Sequence, residues 1–215
     1  TLLDELHMEL IHAADFRMYD TKGVMLPGVP YRIGVPMAAV RAAAQRIIRS
    51  GRSREFLAEA LVPGKVRAHE VLKTTGLVIA LEKRFPLGER LQYARQYQPF
   101  ITNWALSTFL RIDEVPQKVA RRCLLLHESD ELWRVRTGLV LLLTNFLDES
   151  TLPRALSLAL DKNVLRWAGK AYYVSMGLAW ALSIFYVADA DLTRRTFLES
   201  AASGGLDPVT ARRTA

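Results

Sequence analysis

Apolar residues recur at helical spacing along almost the whole chain, and this period limits the fold more than any other feature. Residues 37–48 show it most clearly, with apolar positions at i, i+3, i+4 and i+7 directly after Pro36. Such spacing is typical of an amphipathic helix, and proline is favoured in the first helical turn. No segment alternates convincingly between apolar and polar residues, as a half-buried strand would. The sequence therefore predicts an all-α fold.

Further segments with the same period are separated by short connections that carry Pro, Gly, Ser or Asp, as between antiparallel helices. About a dozen helices joined in this way predict an α-solenoid of stacked helix pairs that share one core. We treat residues 1–215 as a single domain, with both termini expected to be truncated, and residues 23–34 as its one long loop. Besides 37–48, we expect helices at residues 66–83, 101–111, 115–127, 130–146, 152–160, 164–186 and 192–202.

The stretch 171–188 contains no charged residue over 18 positions, which is the lower edge of the length that spans a membrane. It also contains three tyrosines, two serines and a glycine, and no second segment resembles it. A helix that is apolar all round also suits the buried layer of a solenoid. We therefore expect a buried helix and no membrane partner, with a membrane span as the alternative.

The chain is basic, with 29 Lys and Arg against 22 Asp and Glu and a net charge of +7. An excess of this kind favours a polyanionic partner without proving one. The only cysteine, Cys123, excludes an internal disulfide, and its apolar surroundings predict a buried thiol. A single cysteine and a start unlike a signal peptide predict a cytoplasmic protein, associated with the nucleoid if DNA is its partner.

Familiar catalytic motifs are absent from the sequence, which has no P-loop, GxGxxG, GxSxG or paired CxxC pattern. His69-Glu70 begins like a zinc-protease motif, but position 73 is Lys where the second His would stand. His7 and His12 lie about 140° apart round a helix and cannot share a ligand face. The sequence therefore predicts neither a metal site nor a cofactor.

Several short motifs together resemble the AlkD-type DNA alkylation-repair glycosylases, a family built from HEAT-like helical repeats. The resemblance covers nearly the whole chain, and the order and spacing of the motifs carry it more than any single one. The matching segments are Tyr31-Arg-Ile-Gly34 with Pro36, His69-Glu70 followed by residues 76–80, Ile101-Thr-Asn-Trp-Ala105, residues 132–140 around Trp133 and Arg136, Gly177-Leu-Ala-Trp180-Ala-Leu182, and Ala211-Arg-Arg-Thr-Ala215.

The resemblance implies a role for each residue at a motif position. Trp104 and Trp180 match the two family tryptophans that pack against the sugar-phosphate of the lesion, and Arg136 matches an arginine that contacts DNA beside it. Basic side chains on a concave face would hold the phosphate backbone. The residues we expect to bind DNA are Arg41, Lys65, Arg67, Lys73, Arg134, Arg136, Lys170, Arg212 and Arg213.

One position departs from the family pattern. Family members carry an aspartate four residues after the first tryptophan, where its charge stabilises the positive deoxyribose as the base leaves; this chain has Thr108. Asp113 lies half a turn away from the required face, and the acids of residues 128–131 could approach only from another segment. Loss of one preorganised electrostatic group typically lowers a rate by ~10²–10³.

Three functions remain open from the sequence. The first is hydrolytic excision of N3- or N7-alkylated purines from duplex DNA by a monomer, with Trp104, Thr108, Arg136 and Trp180 at the site. The second is a non-catalytic HEAT-repeat protein that binds damaged or branched DNA and has lost the catalytic aspartate. The third is a protein-binding solenoid whose positive charge serves solubility. Trp133 and Trp167 are expected to be structural.

Overall fold

The chain folds entirely into helices in the parts that the structure describes, and the prediction of an all-α fold is confirmed. This computed structural model describes residues 1–15, 17, 26, 29, 31–117, 119–120 and 132–203. Within those residues there are eleven α-helices, one short 3₁₀ helix and no strand. The contacts divide the chain into two compact units, unit 1 from Thr1 to Leu110 and unit 2 from Arg111 to Ala215.

Unit 1 is organised round one helix that is buried on all sides. Its helices are α1 Leu2–His12, α2 Met37–Arg49, α3 Ser53–Ala60, α4 His69–Leu81, α5 Leu87–Tyr97 and α6 Trp104–Phe109, with the 3₁₀ helix Gln98–Phe100 between α5 and α6. Helix α4 packs against all five of the others. Gly76 lets α5 approach closely, because a Cβ there would lie 3.2 Å from the Tyr97 hydroxyl. That hydroxyl donates to the carbonyl of Leu72 at 2.8 Å.

The polar residues at the start of α4 hold the chain segment that precedes α2. Glu70 is fully buried, and its carboxylate accepts hydrogen bonds from the amides of Ile33 and Gly34 at 2.9 and 3.1 Å. Burial alone would raise the pKa of Glu70, but the backbone amides that it accepts from lower the pKa below its ordinary value. The motif His69-Glu70 therefore has a structural role here.

Unit 2 is organised round its longest helix. The described helices are α7 Leu132–Asn145, α8 Leu152–Ala159, α9 Lys162–Lys170, α10 Tyr172–Ala188 and α11 Ala190–Ala202. Helix α10 packs against the other four. It coincides with the uncharged stretch of the sequence. None of the helices described in this structure combines the length and apolar character that a bilayer crossing requires.

Several predicted boundaries differ from the structure. The predicted helix 164–186 is two helices, because Ala171 adopts an extended conformation between α9 and α10. The predicted helix 101–111 is shortened to α6, since the Asn103 side chain caps it by accepting from the amides of Ala105 and Leu106. Helix α4 begins three residues later than predicted, after the extended Ala68.

Other predictions were close to the structure or lie outside its described part. Helices α2 and α8 match the predicted segments to within one residue, and α11 begins two residues early because Asp189 caps it. Helices α1, α3 and α5 were not delimited from the sequence. The residues outside the described part include most of the predicted helix 115–127, half of the loop 23–34, Cys123, the acids at 128–131, and the pair Arg212 and Arg213.

Candidate functional site

Trp104 and Thr108 lie one turn apart on α6 in unit 1. Asn103 fixes the start of this short helix, so the indole of Trp104 follows directly after the cap. Both side chains are half-buried. The Thr108 hydroxyl donates to the carbonyl of Trp104 at 2.9 Å, which is the usual bond of a helical threonine. Thr108 thus carries no charge, and the proton of its hydroxyl is used within the helix.

Arg136 is a buried arginine in the interior of unit 2. It lies on α7 with 5% of its surface exposed, and its Nη1 donates to the carbonyl of Tyr173 in the first turn of α10 at 2.8 Å. Burial lowers the pKa of Arg136 to about 10, so the guanidinium remains protonated at neutral pH. The arrangement ties α7 to the beginning of α10.

The close approach of Arg136 to position 177 explains why the late Gly-x-x-Trp motif begins with glycine. A Cβ at position 177 would lie 2.6 Å from Nη1 of Arg136, which is closer than real contacts allow. The glycine thus leaves room for the guanidinium beside α10. Arg136, Gly177 and Tyr173 therefore form one packed group, and two of them were singled out from the sequence as motif residues.

Trp180 lies three residues after Gly177 on α10 and is half-buried. The guanidinium carbon of Arg111 lies 5.9 Å from the centre of its ring, within the range of a cation–π interaction. Arg111 itself is exposed, and its Nε donates to the Thr144 hydroxyl at 3.4 Å. An accessible cation thus lies beside an indole that is partly open, and we call Arg111 and Trp180 the Trp180 platform.

Sequence reasoning missed Arg111. It is the last residue of the predicted helix 101–111, but the observed helix α6 ends at Phe109, so Arg111 lies beyond it and the helical period gives no position for its side chain. Its distance from Trp180 along the chain also hid the pairing, which depends on how unit 2 folds.

The predicted DNA-binding residues divide by exposure. Arg41 on α2, Lys65 after α3 and Lys170 at the end of α9 are exposed, and Arg134 in the first turn of α7 is half-buried. Lys65 lies beside a groove of about 330 Å³ with Pro63, Pro99 and Phe100. Arg41, Lys65 and Lys170 are thus open to solvent, and Arg134 is partly open.

Two of the predicted cations are buried in unit 1. Arg67 donates to the carbonyls of Lys65 and Glu59 at 2.6 and 2.9 Å, and burial lowers the pKa of Arg67 below its ordinary value. Lys73 is 3% exposed, with its Nζ 5.7 Å from the ring centre of Phe109. Their charges are not presented on the surface of unit 1.

A basic ridge runs along α9 in unit 2. Lys162, Arg166 and Lys170 are spaced by four residues and are all exposed, while Val164, Leu165 and Ala168 are buried. Residues four apart share one helix face. Only Lys170 of this ridge was among the residues predicted to bind DNA, so the ridge extends that prediction by two positions.

The structure brings some of the predicted site residues together within each unit. Trp104 and Thr108 share a turn of α6, and Trp180 lies one turn after the glycine that packs on Arg136. Asp113, the nearest acid considered as a substitute along the chain, is half-buried and belongs to unit 2.

Comparisons with protein-family models, with curated proteins and with solved structures found no match to this chain.

Proposed function

We propose that this protein binds duplex DNA through exposed basic side chains and through the Trp180 platform. In its natural setting this DNA is alkylated. The observation that carries the proposal is the exposed Arg111 beside the partly open indole of Trp180. A guanidinium can bind a phosphate oxygen while the indole packs against the neighbouring sugar, so the pair suits a sugar-phosphate unit. The resemblance of the Gly177–Trp180 motif to DNA alkylation-repair proteins supports the same partner.

The basic ridge of α9 adds further exposed positive charge to unit 2. Lys162, Arg166 and Lys170 supply three cations on one helix face. Each DNA phosphate that a cation neutralises releases a counterion, so the affinity should fall as the salt concentration rises. The slope of log affinity against log salt concentration should be close to the number of phosphates contacted. We do not propose direct phosphate contacts for Arg67, Lys73 and Arg136, because they are buried. Arg136 supports the Trp180 platform indirectly by fixing α10.

The first test is the binding of labelled duplex DNA, measured by fluorescence anisotropy at several salt concentrations. We expect Arg111→Ala to weaken binding about five- to tenfold and to lower the salt slope by about 1. Arg154→Ala is the matched control, because Arg154 is exposed on α8 in the same unit and makes the same change in charge. Equal losses of DNA affinity in the two variants would mean that binding depends on net charge alone. A salt dependence with a slope near zero would favour the protein-binding solenoid.

Hydrolytic excision of N3- or N7-alkylated purines is the second candidate function. Trp104 and Trp180 are half-buried and so partly accessible, but Trp133 and Trp167 are half-buried as well. The resemblance of the Trp104, Arg136 and Trp180 motifs to the glycosylase family therefore supports this candidate, and the exposure of the two tryptophans only permits it. The reaction would break the bond from the base nitrogen to deoxyribose C1′ and add water at C1′. An alkylated purine is cationic and leaves readily, so the reaction can proceed slowly without a carboxylate at position 108.

Single-turnover release of 7-methylguanine from an alkylated duplex separates the two functions. Wild type, Thr108→Asp and Trp180→Ala are compared under identical conditions. Release by wild type that is lost in Trp180→Ala would establish excision. Release only by Thr108→Asp, with a gain of ~10²–10³ over wild type, would show a binding protein that lacks one catalytic charge. Absence of release from all three, with DNA still bound, would leave binding alone.

A further inference from the structure

A groove of about 570 Å³ lies between α10 and α11 in unit 2. Its volume falls in the range of small-molecule sites. Its apolar walls are Leu182 from α10 and Phe197 and Leu198 from α11, and four residues with polar atoms join them. The polar members are Ser183, Tyr186, Thr193 and Arg194. The Ser183 hydroxyl already donates to the carbonyl of Trp180 within α10.

Thr193 differs from the other threonines of the described helices in how its hydroxyl is used. It is 4% exposed, and its Oγ1 has no hydrogen-bond partner in the described residues. Six other threonines donate their hydroxyls to the carbonyl four residues earlier, namely Thr74, Thr75, Thr108, Thr137, Thr144 and Thr196. A buried hydroxyl without a partner is destabilising. Thr193 lines the groove, and its hydroxyl is a hydrogen-bond donor that the helix itself does not use.

Arg194 places a positive charge at the rim of the same groove. The residue is exposed, and no ion pair to it is found among the described side chains, whereas Arg46, Arg52, Arg54 and Arg84 each pair with a glutamate. Tyr186 is 52% exposed, so its ring and hydroxyl are also accessible from the groove mouth. The groove therefore combines apolar walls, a buried hydroxyl and an adjacent guanidinium.

We propose that the groove between α10 and α11 binds a small amphipathic carboxylic acid, with the apolar part against Leu182, Phe197 and Leu198 and the carboxylate bonded to Thr193 and Arg194. A carboxylate accepts hydrogen bonds only, and both polar partners are donors towards it. A neutral apolar molecule would leave the Thr193 hydroxyl unsatisfied, and a cation would be repelled by Arg194. No lining residue of the groove is among the proposed DNA contacts, so the two proposals do not depend on each other.

The test uses phenylbutyrate as the probe, followed by two-dimensional amide NMR of the full chain. We expect saturable shifts at the amides of Thr193, Arg194 and Phe197. Arg194→Gln should weaken the affinity about tenfold and Thr193→Val about threefold, because each removes one donor to a charged acceptor. Thr193→Val should also raise the Tm of the free protein, since it removes a buried hydroxyl and keeps the side-chain shape.

Matched controls separate the site from general charge effects. Arg195 is exposed and Thr196 already donates to Leu192, and neither lines the groove. Arg195→Gln and Thr196→Val should therefore leave the affinity within about twofold of wild type. The neutral amide of the probe should bind at least about tenfold more weakly than the acid.

Three results would each overturn the proposal. One is the absence of saturable shifts at the groove amides at millimolar probe, and another is an equal loss of affinity in Arg194→Gln and Arg195→Gln. The third is equal affinity for the acid and its amide. Both arginine variants change an exposed side chain, so a folded spectrum is expected for each, and their comparison remains decisive even if Thr193→Val folds poorly.

Discussion

The central helices of the two units differ in where they place charge and where they place apolar surface. Helix α4 in unit 1 carries His69, Glu70 and Lys73, and all three are buried. Helix α10 in unit 2 carries no charge, yet Tyr186 is 52% exposed and Val187 is 84% exposed. Five helices surround α4, whereas α10 packs with four in the described part of unit 2. Burial therefore follows the number and position of neighbouring helices more closely than it follows the hydropathy of the segment.

The difference also separates structural polar residues from accessible ones. The polar atoms of α4 are enclosed and hold neighbouring chain segments, as Glu70 holds the amides of Ile33 and Gly34. The open side of α10 carries the Trp180 platform and one wall of the groove with α11. Both proposed ligand contacts therefore lie on α10, whereas the polar residues of α4 are enclosed and serve its packing.

The largest expected effect tests the buried charge of α4. Glu70→Ala should lower the free energy of unfolding by about 3–5 kcal/mol, because it leaves the amides of Ile33 and Gly34 without their acceptor and opens a cavity. Urea denaturation followed by circular dichroism measures the change. Glu5→Ala on the exposed side of α1 is the control and should change stability by about 0.5 kcal/mol or less. A loss below about 1 kcal/mol for Glu70→Ala would mean that α4 does not depend on its buried carboxylate.

The second prediction makes one substitution in both central helices. Val78 on α4 is fully buried and Val187 on α10 is 84% exposed. Val78→Ala should cost about 2–3 kcal/mol through lost burial and a cavity, and Val187→Ala about 0.5 kcal/mol or less. The same urea experiment gives both values. Similar costs for the two variants would show that the exposed end of α10 is covered in solution, and the comparison of the helices would fail.

The third prediction compares the close glycine contacts of the two helices. Gly177→Ala should destabilise the protein by about 1–2 kcal/mol, since the new methyl group displaces the Arg136 guanidinium from the Tyr173 carbonyl. Gly76→Ala on α4 meets the Tyr97 hydroxyl at the longer distance of 3.2 Å, so its cost should be smaller.

Gly88→Ala serves as the control for both glycine variants. Position 88 has open space for a Cβ, and alanine should stabilise α5 there by about 0.5–1 kcal/mol. Thermal unfolding of the three variants gives the order directly. A Gly177→Ala protein as stable as wild type would show that Arg136 has a second arrangement of equal stability.

The sequence was sufficient to predict the all-α fold, because helical period is local information. It also singled out Gly177, Arg136 and Trp180 as motif residues. The contact of Gly177 with Arg136 explains in part why the late motif contains glycine. It could not predict that Arg136 is buried or that Arg111 lies beside Trp180, since both depend on packing between distant segments. The break at Ala171 was also hidden, because no proline marks it and the apolar period continues across it.

The smallest expected effect concerns the end of α4, where Glu82 closes the helix. Its carboxylate accepts from Ser53 and Arg84, and the Arg84 guanidinium, followed by the Ser53 hydroxyl, lowers the pKa of Glu82 from 4.5 to about 2 against the opposing effect of burial. A lowered pKa in the folded state stabilises the protein above pH 4.5, and this contribution is lost as the pH falls towards 2. After allowance for solvent screening, the loss should be about 1 kcal/mol.

Urea unfolding at several pH values should therefore show a decline in stability over this pH range that is reduced in Glu82→Gln. Glu55→Gln, which alters an exposed ion pair with Arg52, should keep the decline of wild type. An unchanged pH profile in Glu82→Gln would assign the decline to other carboxylates and would mean that the contacts of Glu82 with Ser53 and Arg84 do not stabilise the end of α4.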